Sequence, residues 1–251
     1  MPNTMPLTGK TALITGGARR VGAAIVHALH AAGANVLIHY QRSAADANAL
    51  ERALNERRAG SAASMALNLL DTSRLDALVR AARDRFGALD ILINNASTFY
   101  ATPMGEITEA HWNDLLGSNL KAPLFLAQAA APALRDAHGL IVNIVDIHGM
   151  RPLRQYLTYS IAKAGLAMLT RGLARELGPE VRVNGVAPGP VLWPEASGAD
   201  QDLQQRIVER TVLKRPGSPD DIARVVLFFA TQAPFVTGQI LAVDGGRSIG
   251  W

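Results

Sequence analysis

Tyr159 and Lys163 stand four residues apart in Tyr159-Ser160-Ile161-Ala162-Lys163. That spacing puts both side chains on one face of a helix. A phenol ionises at about 10 and is a poor proton-transfer group at neutral pH by itself. An ammonium beside it favours the phenolate and is expected to draw that pKa down toward the working range. The pair therefore suits proton transfer to or from a substrate held against it. Asp146 lies thirteen residues before Tyr159, directly after the apolar run Gly139–Val145. An ionised carboxylate accepts hydrogen bonds but cannot donate one to a carbonyl oxygen, so this position suits a substrate bearing N–H groups. Most Tyr-x-x-x-Lys pairs are structural, and an Asp at a strand end can equally cap the next turn. The register of the two features is what gives them weight.

A second group has the chemistry of phosphate binding. Thr15-Gly16-Gly17-Ala18-Arg19-Arg20-Val21-Gly22 joins the apolar run Thr11–Thr15 to a segment of helical periodicity, Val21–Ala32. Glycine allows the tight turn and the close approach of backbone to ligand, and the helix N-terminus attracts a pyrophosphate. The next apolar run, Asn35–Tyr40, leads into Gln41-Arg42-Ser43. A site for an unphosphorylated ribose would place an acid there, yet the first carboxylate is Asp46. Arg42 and Ser43 suit a 2′-phosphate instead; the plainer alternative is an ordinary exposed loop arginine. NADPH is the expected cofactor.

Positioning these residues requires a regular frame, and the chain supplies one. After the helix Ala44–Arg58 come the strand Ala63–Leu69, the helix Ser73–Phe86 and the strand Leu89–Asn94. A helix over about Ala110–Arg135, the strand Gly139–Val145, the long helix Tyr156–Leu177 and the strand Val181–Ala187 follow. A helix near Pro219–Thr231 and a last strand at Gln239–Val243 close the series. Strands alternating with crossover helices predict an α/β fold: a single-domain, Rossmann-type, doubly wound parallel sheet of about seven strands, flanked by helices. Ligands bind such sheets at the carboxyl ends of the strands. Every residue singled out above falls at such an end or on the helix after it.

Composition narrows the function. No linker, charge block or repeat divides the 251 residues, so one domain over 1–251 is expected. Apolar residues make up 49% and aromatics only 5%, which suits alanine-rich helices on aliphatic strands. The absence of Cys excludes disulfides, a thiolate nucleophile and a cysteine metal site, and no metal is expected. The net charge of +4 is spread along the chain, which favours a small anionic ligand over nucleic acid. No apolar stretch approaches membrane length and the N-terminus has no leader pattern, so a soluble, cytoplasmic protein is expected.

Read together, these motifs resemble the short-chain dehydrogenase/reductase family from about Lys10 to Gly246. Thr15-Gly16-x-x-x-Arg20-x-Gly22, Asn94-Asn95-Ala96-Ser97, Asn119, Tyr159/Lys163, Pro188-Gly189 and Asp244-Gly245-Gly246 carry the resemblance. It implies a cofactor site of Gly16, Arg19, Arg20, Val21, Tyr40, Gln41, Arg42, Ser43, Asn68, Leu69, Asn95, Ala96, Ser97, Tyr159, Lys163, Pro188 and Gly189. It also implies that Asn119 supports a proton-relay water beside Lys163. The departures from the usual pattern are Arg20 for a Gly, Ser97 for a Gly, Asp146 for a Ser, and Phe99 just beyond the Asn-Asn-Ala turn. With His39-Tyr40-Gln41-Arg42-Ser43 they look like the pteridine reductase branch. That likeness implies a pterin sandwiched between nicotinamide and Phe99, contacted by Arg20 and Ser97, with Tyr159 as proton donor and Asp146 orienting it. The implied reaction is reduction of a dihydropterin or dihydrofolate, or of an oxidised pterin, in a homotetramer. A Phe packed in the core or a lid is the alternative for Phe99. The segment Leu192–Arg215, within a lid of about 190–215, carries Trp193, a cover for the substrate tail or an oligomer contact. The competing enzyme reading is a carbonyl reductase of the 3-oxoacyl-thioester type. The competing non-enzyme reading is a silent NADP-binding regulator.

Overall fold

The computed structural model describes residues 5–191 and 201–249. Seven strands form one parallel sheet: β1 (Thr11–Ile14), β2 (Asn35–Tyr40), β3 (Ala62–Ala66), β4 (Ile91–Asn94), β5 (Leu140–Ile144), β6 (Arg182–Pro188) and β7 (Ile240–Val243). Their order is β3-β2-β1-β4-β5-β6-β7. The order reverses between β1 and β4, and at that switch the loops after the two strands part to leave a ligand crevice.

Period-two alternation sends successive side chains to opposite faces, and both faces are buried. Ala12, Ile14, Val36 and Ile38 pack one way, with Ile25, Val26 and Leu29 of α1 (Arg20–Ala31) and Leu50 and Leu54 of α2 (Ala44–Arg57). Leu13, Leu37, Leu92 and Ile141 pack the other way, against Leu78 and Val79 of α3 (Asp76–Phe86). On the α3 side lie α4 (Glu109–Leu116), α5 (Ala122–Asp136) and α6 (Leu157–Leu177). Beyond them come α7 (Gln201–Glu209) and α8 (Pro219–Thr231). Ile222, Val226 and Phe229 of α8 recur at helical spacing and join the α1 side of the core. Truncating a fully buried anchor such as Leu29 to Ala would cost about 2–5 kcal/mol.

Local chemistry sets several ends. α3 stops at Gly87, whose φ of 86° is left-handed and whose N–H donates to the Arg83 carbonyl. α8 starts on a Ser218–Asp221 capping box with Pro219 in its first turn.

Three expectations need adjustment. The helix expected over Ala110–Arg135 is two helices joined by one π-helical turn, Gly117–Lys121, in which the Ala122 N–H reaches back to the Gly117 carbonyl. Such turns are a common device at functional sites, and Asn119 sits in this one. The third strand ends at Ala66 rather than Leu69, because the Asn68 side chain accepts from the Leu70 N–H and turns the chain there. The segment expected to be a lid contains α7, while Trp193 lies outside the described residues. No helix among the described residues is long and apolar enough to cross a membrane.

Candidate active site

The loops after β1 and β4 are sewn together. The Asn95 and Ala96 N–H groups donate to Thr15 Oγ1 at 2.9 and 3.0 Å. The Asn95 side-chain amide donates to the Thr15 and Gly16 carbonyls at 2.9 and 3.0 Å. Gly16 has a φ of 60°, and a Cβ there would come within 3.0 Å of the Ala96 backbone. A Cβ on Gly22 would meet the Gly16 carbonyl at 2.1 Å. Only glycine lets the turn close this tightly on the helix behind it. Arg20 occupies the left-handed region at φ 56°, where glycine is usual and an L side chain costs about 1–2 kcal/mol. Local strain held in place by its surroundings is a frequent mark of a functional position.

These residues fit a dinucleotide. Arg19, the N-cap of α1, makes no side-chain capping hydrogen bond, and the positive end of the helix suits an anion. Arg19 and Arg20 are both exposed on the turn, and Arg19 also reaches Asp46 of α2 at 3.7 Å. At the end of β2, Arg42 is exposed, and Ser43 precedes α2 without spending its hydroxyl on a cap. Gln41 donates to Asn68 Oδ1 at 3.1 Å, which joins the ends of β2 and β3. Pro188 ends β6, and Gly189 packs so closely on Asp244 that a Cβ would lie 2.6 Å away.

Facing this turn, β5 and α6 bring Asp146, Tyr159 and Lys163 together. The Tyr159 hydroxyl donates to Asp146 Oδ2 at 2.8 Å. The other carboxylate oxygen accepts the His148 N–H at 2.7 Å and is fixed by it. Lys163 is buried, donates to the Ile144 carbonyl at 2.9 Å, and lies 5.7 Å from the Tyr159 ring centre. The expectation that Tyr159 titrates low is reversed. Burial, followed by the charge and hydrogen bond of Asp146, raises its pKa well above 10, while the nearby Ser97 pulls the other way. Lys163 is held by burial at about 8, against an upward pull from Asp146. In this geometry the Tyr159 hydroxyl keeps its proton, held on Asp146.

Ser97, Phe99 and Asn119 form the third wall. Asn119 is fully buried; its amide donates to the Leu115 and Thr98 carbonyls at 2.9 and 3.0 Å. Its oxygen accepts from the Ser97 hydroxyl at 2.6 Å. The π-helical turn thus aims Asn119 at the loop after β4. Phe99 stacks on Tyr156 with centroids 4.5 Å apart and planes at 14°, and meets Tyr159 edge-on at 4.8 Å. It remains 41% exposed, so part of its ring surface is open next to the Tyr159 ring.

Two residues of this site were missed in the sequence. Tyr156 backs Phe99, and its only signal was a third aromatic at helical spacing before Tyr159. His39 had a clearer one, a polar side chain within the apolar run of β2.

Comparison with known proteins agrees with this geometry. A family model described as enoyl-(acyl carrier protein) reductase matches residues 16–248. Pteridine reductase 1 of Leishmania tarentolae is 36% identical over 284 residues, covering 96% of this chain and 97% of that protein. A 3-oxoacyl-(acyl-carrier-protein) reductase, FabG, of Staphylococcus aureus is 32% identical over 240 residues, covering 94% and 97%. A blue fluorescent protein from a metagenomic library, solved in complex with NADPH, superposes with a TM-score of 0.90 at 34% identity, covering 96% and 99% of the two chains. By sheet order, site geometry and likeness over nearly its whole length, the chain belongs to the short-chain dehydrogenase/reductase family.

Proposed function

We propose that the protein is an NADPH-dependent reductase of the C=N bond of a dihydropterin or dihydrofolate, with an oxidised pterin as a further substrate. The observation that carries this reading is the Tyr159–Asp146 hydrogen bond beside the open ring of Phe99. A carboxylate in this position accepts from the amino and ring N–H groups of a pterin and offers nothing to a ketone oxygen. A flat heteroaromatic ring gains about 0.5–1.5 kcal/mol from an aromatic face beyond its burial.

Bound NADPH would supply the hydride that such a C=N reduction needs at the imine carbon. Arg42 and Ser43 would hold its 2′-phosphate, and Gly16, Arg19, Arg20 and Val21 its pyrophosphate. Tyr40, Gln41, Asn68 and Leu69 would bind its adenosine half, and Asn95, Ala96, Pro188 and Gly189 its nicotinamide half. Tyr159 gives the proton to the imine nitrogen, a role that suits a phenol whose pKa is kept high. Lys163, mostly protonated at neutral pH, stabilises the resulting phenolate until solvent returns the proton. Asn119 acts on this chemistry through Ser97 and through the relay water it supports. Asp146 orients Tyr159 and, when a fully oxidised pterin is reduced, helps protonate the ring by first taking a proton from solvent and passing it on.

The reading extends to a single cytoplasmic reductase domain, with α7 as part of its substrate lid, assembled as a homotetramer. Exposed Ile161 and Met168 on α6, and Phe235 and Leu241 near the C-terminus, support self-association. The competing substrate is a 3-oxoacyl thioester, which the FabG relative reduces according to its name. Mixing the protein with NADPH and dihydrobiopterin, dihydrofolate or an acetoacetyl thioester, and following cofactor absorbance, separates the readings. Oxidation with the two pterin-type substrates is expected. Oxidation with the thioester alone would sink the pterin reading, and tight NADPH binding without turnover would favour the regulator.

A further inference from the structure

We infer that His39 is a positioning residue for the dinucleotide, clamping the glycine turn after β1 to the segment after β3. The inference rests on the NADPH reading above and concerns only this chain's own residues.

The imidazole is 2% exposed and uses both ring nitrogens. The Gly16 N–H donates to Nδ1 at 3.1 Å, and Nε2 pairs with the Leu67 carbonyl at 3.0 Å. A backbone N–H can only donate and a carbonyl can only accept, so the ring is neutral with its proton on Nε2. Burial, the larger influence, lowers the His39 pKa to about 4 and keeps that form at physiological pH. The backbone adds a third tie, since the Gly17 N–H donates to the His39 carbonyl at 2.9 Å. Gly16 is therefore gripped from two sides, by His39 on one and by the Ala96 backbone on the other.

An apolar residue would fill this place in β2 without the need to satisfy two buried polar atoms. What the imidazole adds is a bridge between two loops that flank the cofactor. Its orientation of Gly16 sets the backbone that faces the pyrophosphate, and its hold on Leu67 fixes the chain just before Asn68 and Leu69.

The two arms can be cut separately. Asn places an amide oxygen where Nδ1 stands and keeps the Gly16 arm; Gln places an amide N–H where Nε2 stands and keeps the Leu67 arm. NADPH affinity would be measured directly by fluorescence titration of His39→Asn, His39→Gln and His39→Leu, with a thermal melt of each. Losing one hydrogen bond to a buried N–H is expected to weaken NADPH about tenfold in the Gln and Leu variants and less than about threefold in Asn. The melting temperatures need not follow that order, which separates positioning from a general loss of fold. Equal losses in Asn and Gln, or an unchanged Gln variant, would overturn the inference. Imidazole nitrogen NMR shifts of the unmutated protein give an independent readout, and a protonated Nδ1 would overturn it as well. Failure of the unmutated protein to bind NADPH would remove the cofactor assignment itself, and this inference with it.

Discussion

Replacing Lys163 by Met makes a quantitative test of the site's electrostatics. The ammonium is 2% exposed, and its folded-state pKa of about 8 compares with 10.5 when unperturbed. That difference means the fold disfavours the protonated form by ~3 kcal/mol at pH 7. Met has a similar length and no charge to desolvate, but it leaves the Ile144 carbonyl without its donor, at a cost of about 1–3 kcal/mol. The variant is thus expected to match or exceed the unmutated protein at pH 7, by up to about 2 kcal/mol. The pH dependence is the sharper part. Between about 8 and 10.5 the unfolded chain holds a proton that the folded chain has released, so the Lys163 contribution to stability grows as pH rises. From pH 7 to pH 10 the unmutated protein should gain about 2–3 kcal/mol relative to the variant. Urea unfolding of both proteins at the two pH values measures this. Tyr159, whose raised pKa acts above about 10 in the opposite sense, is present in both and largely cancels. A difference between the two proteins that does not change with pH would refute the reasoning.

Two further substitutions address the ligands. Arg42→Asp should weaken NADPH by about 10–100-fold through loss of a charge-assisted contact, with a much smaller effect on NADH; equal losses in direct titrations would remove Arg42 from the 2′-phosphate site. Phe99→Ala should raise the KM for dihydrobiopterin about two- to tenfold at nearly constant kcat, since it removes a stacking face rather than a proton-transfer group. An unchanged KM would return Phe99 to a packing role.

The sheet and the positions of the site were legible because they rest on local signals. Alternation of apolar runs with helical periodicity located all seven strands and most helices; the glycine turn and Asp146 kept their places at strand ends, and Tyr159 and Lys163 theirs on the long helix α6. What the sequence did not disclose depends on distance and burial. The fall expected for the Tyr159 pKa assumed that the residue four positions away dominates. In the fold Asp146, thirteen residues distant in sequence, touches the hydroxyl at 2.8 Å, while Lys163 points at the Ile144 carbonyl. The turn that aims Asn119 at Ser97 spans the weak helix formers Gly117, Ser118 and Asn119, with Pro123 just beyond; these mark an interruption but not its π-helical form. His39 carried a signal, a polar residue in an apolar strand, but its two partners are 23 and 28 residues away.

The central claim is that Asp146, where the family carries Ser, turns the site toward a pterin. The ratio of kcat/KM for dihydrobiopterin to that for an acetoacetyl thioester, measured for the unmutated protein and for Asp146→Ser, tests it most directly. Loss of a charged acceptor on the substrate N–H groups and on Tyr159 is worth about 1.5–3 kcal/mol, so the ratio should fall at least about tenfold while NADPH affinity stays nearly unchanged. An Asp146→Ser variant that keeps the ratio and reduces the pterin at full rate would contradict the account.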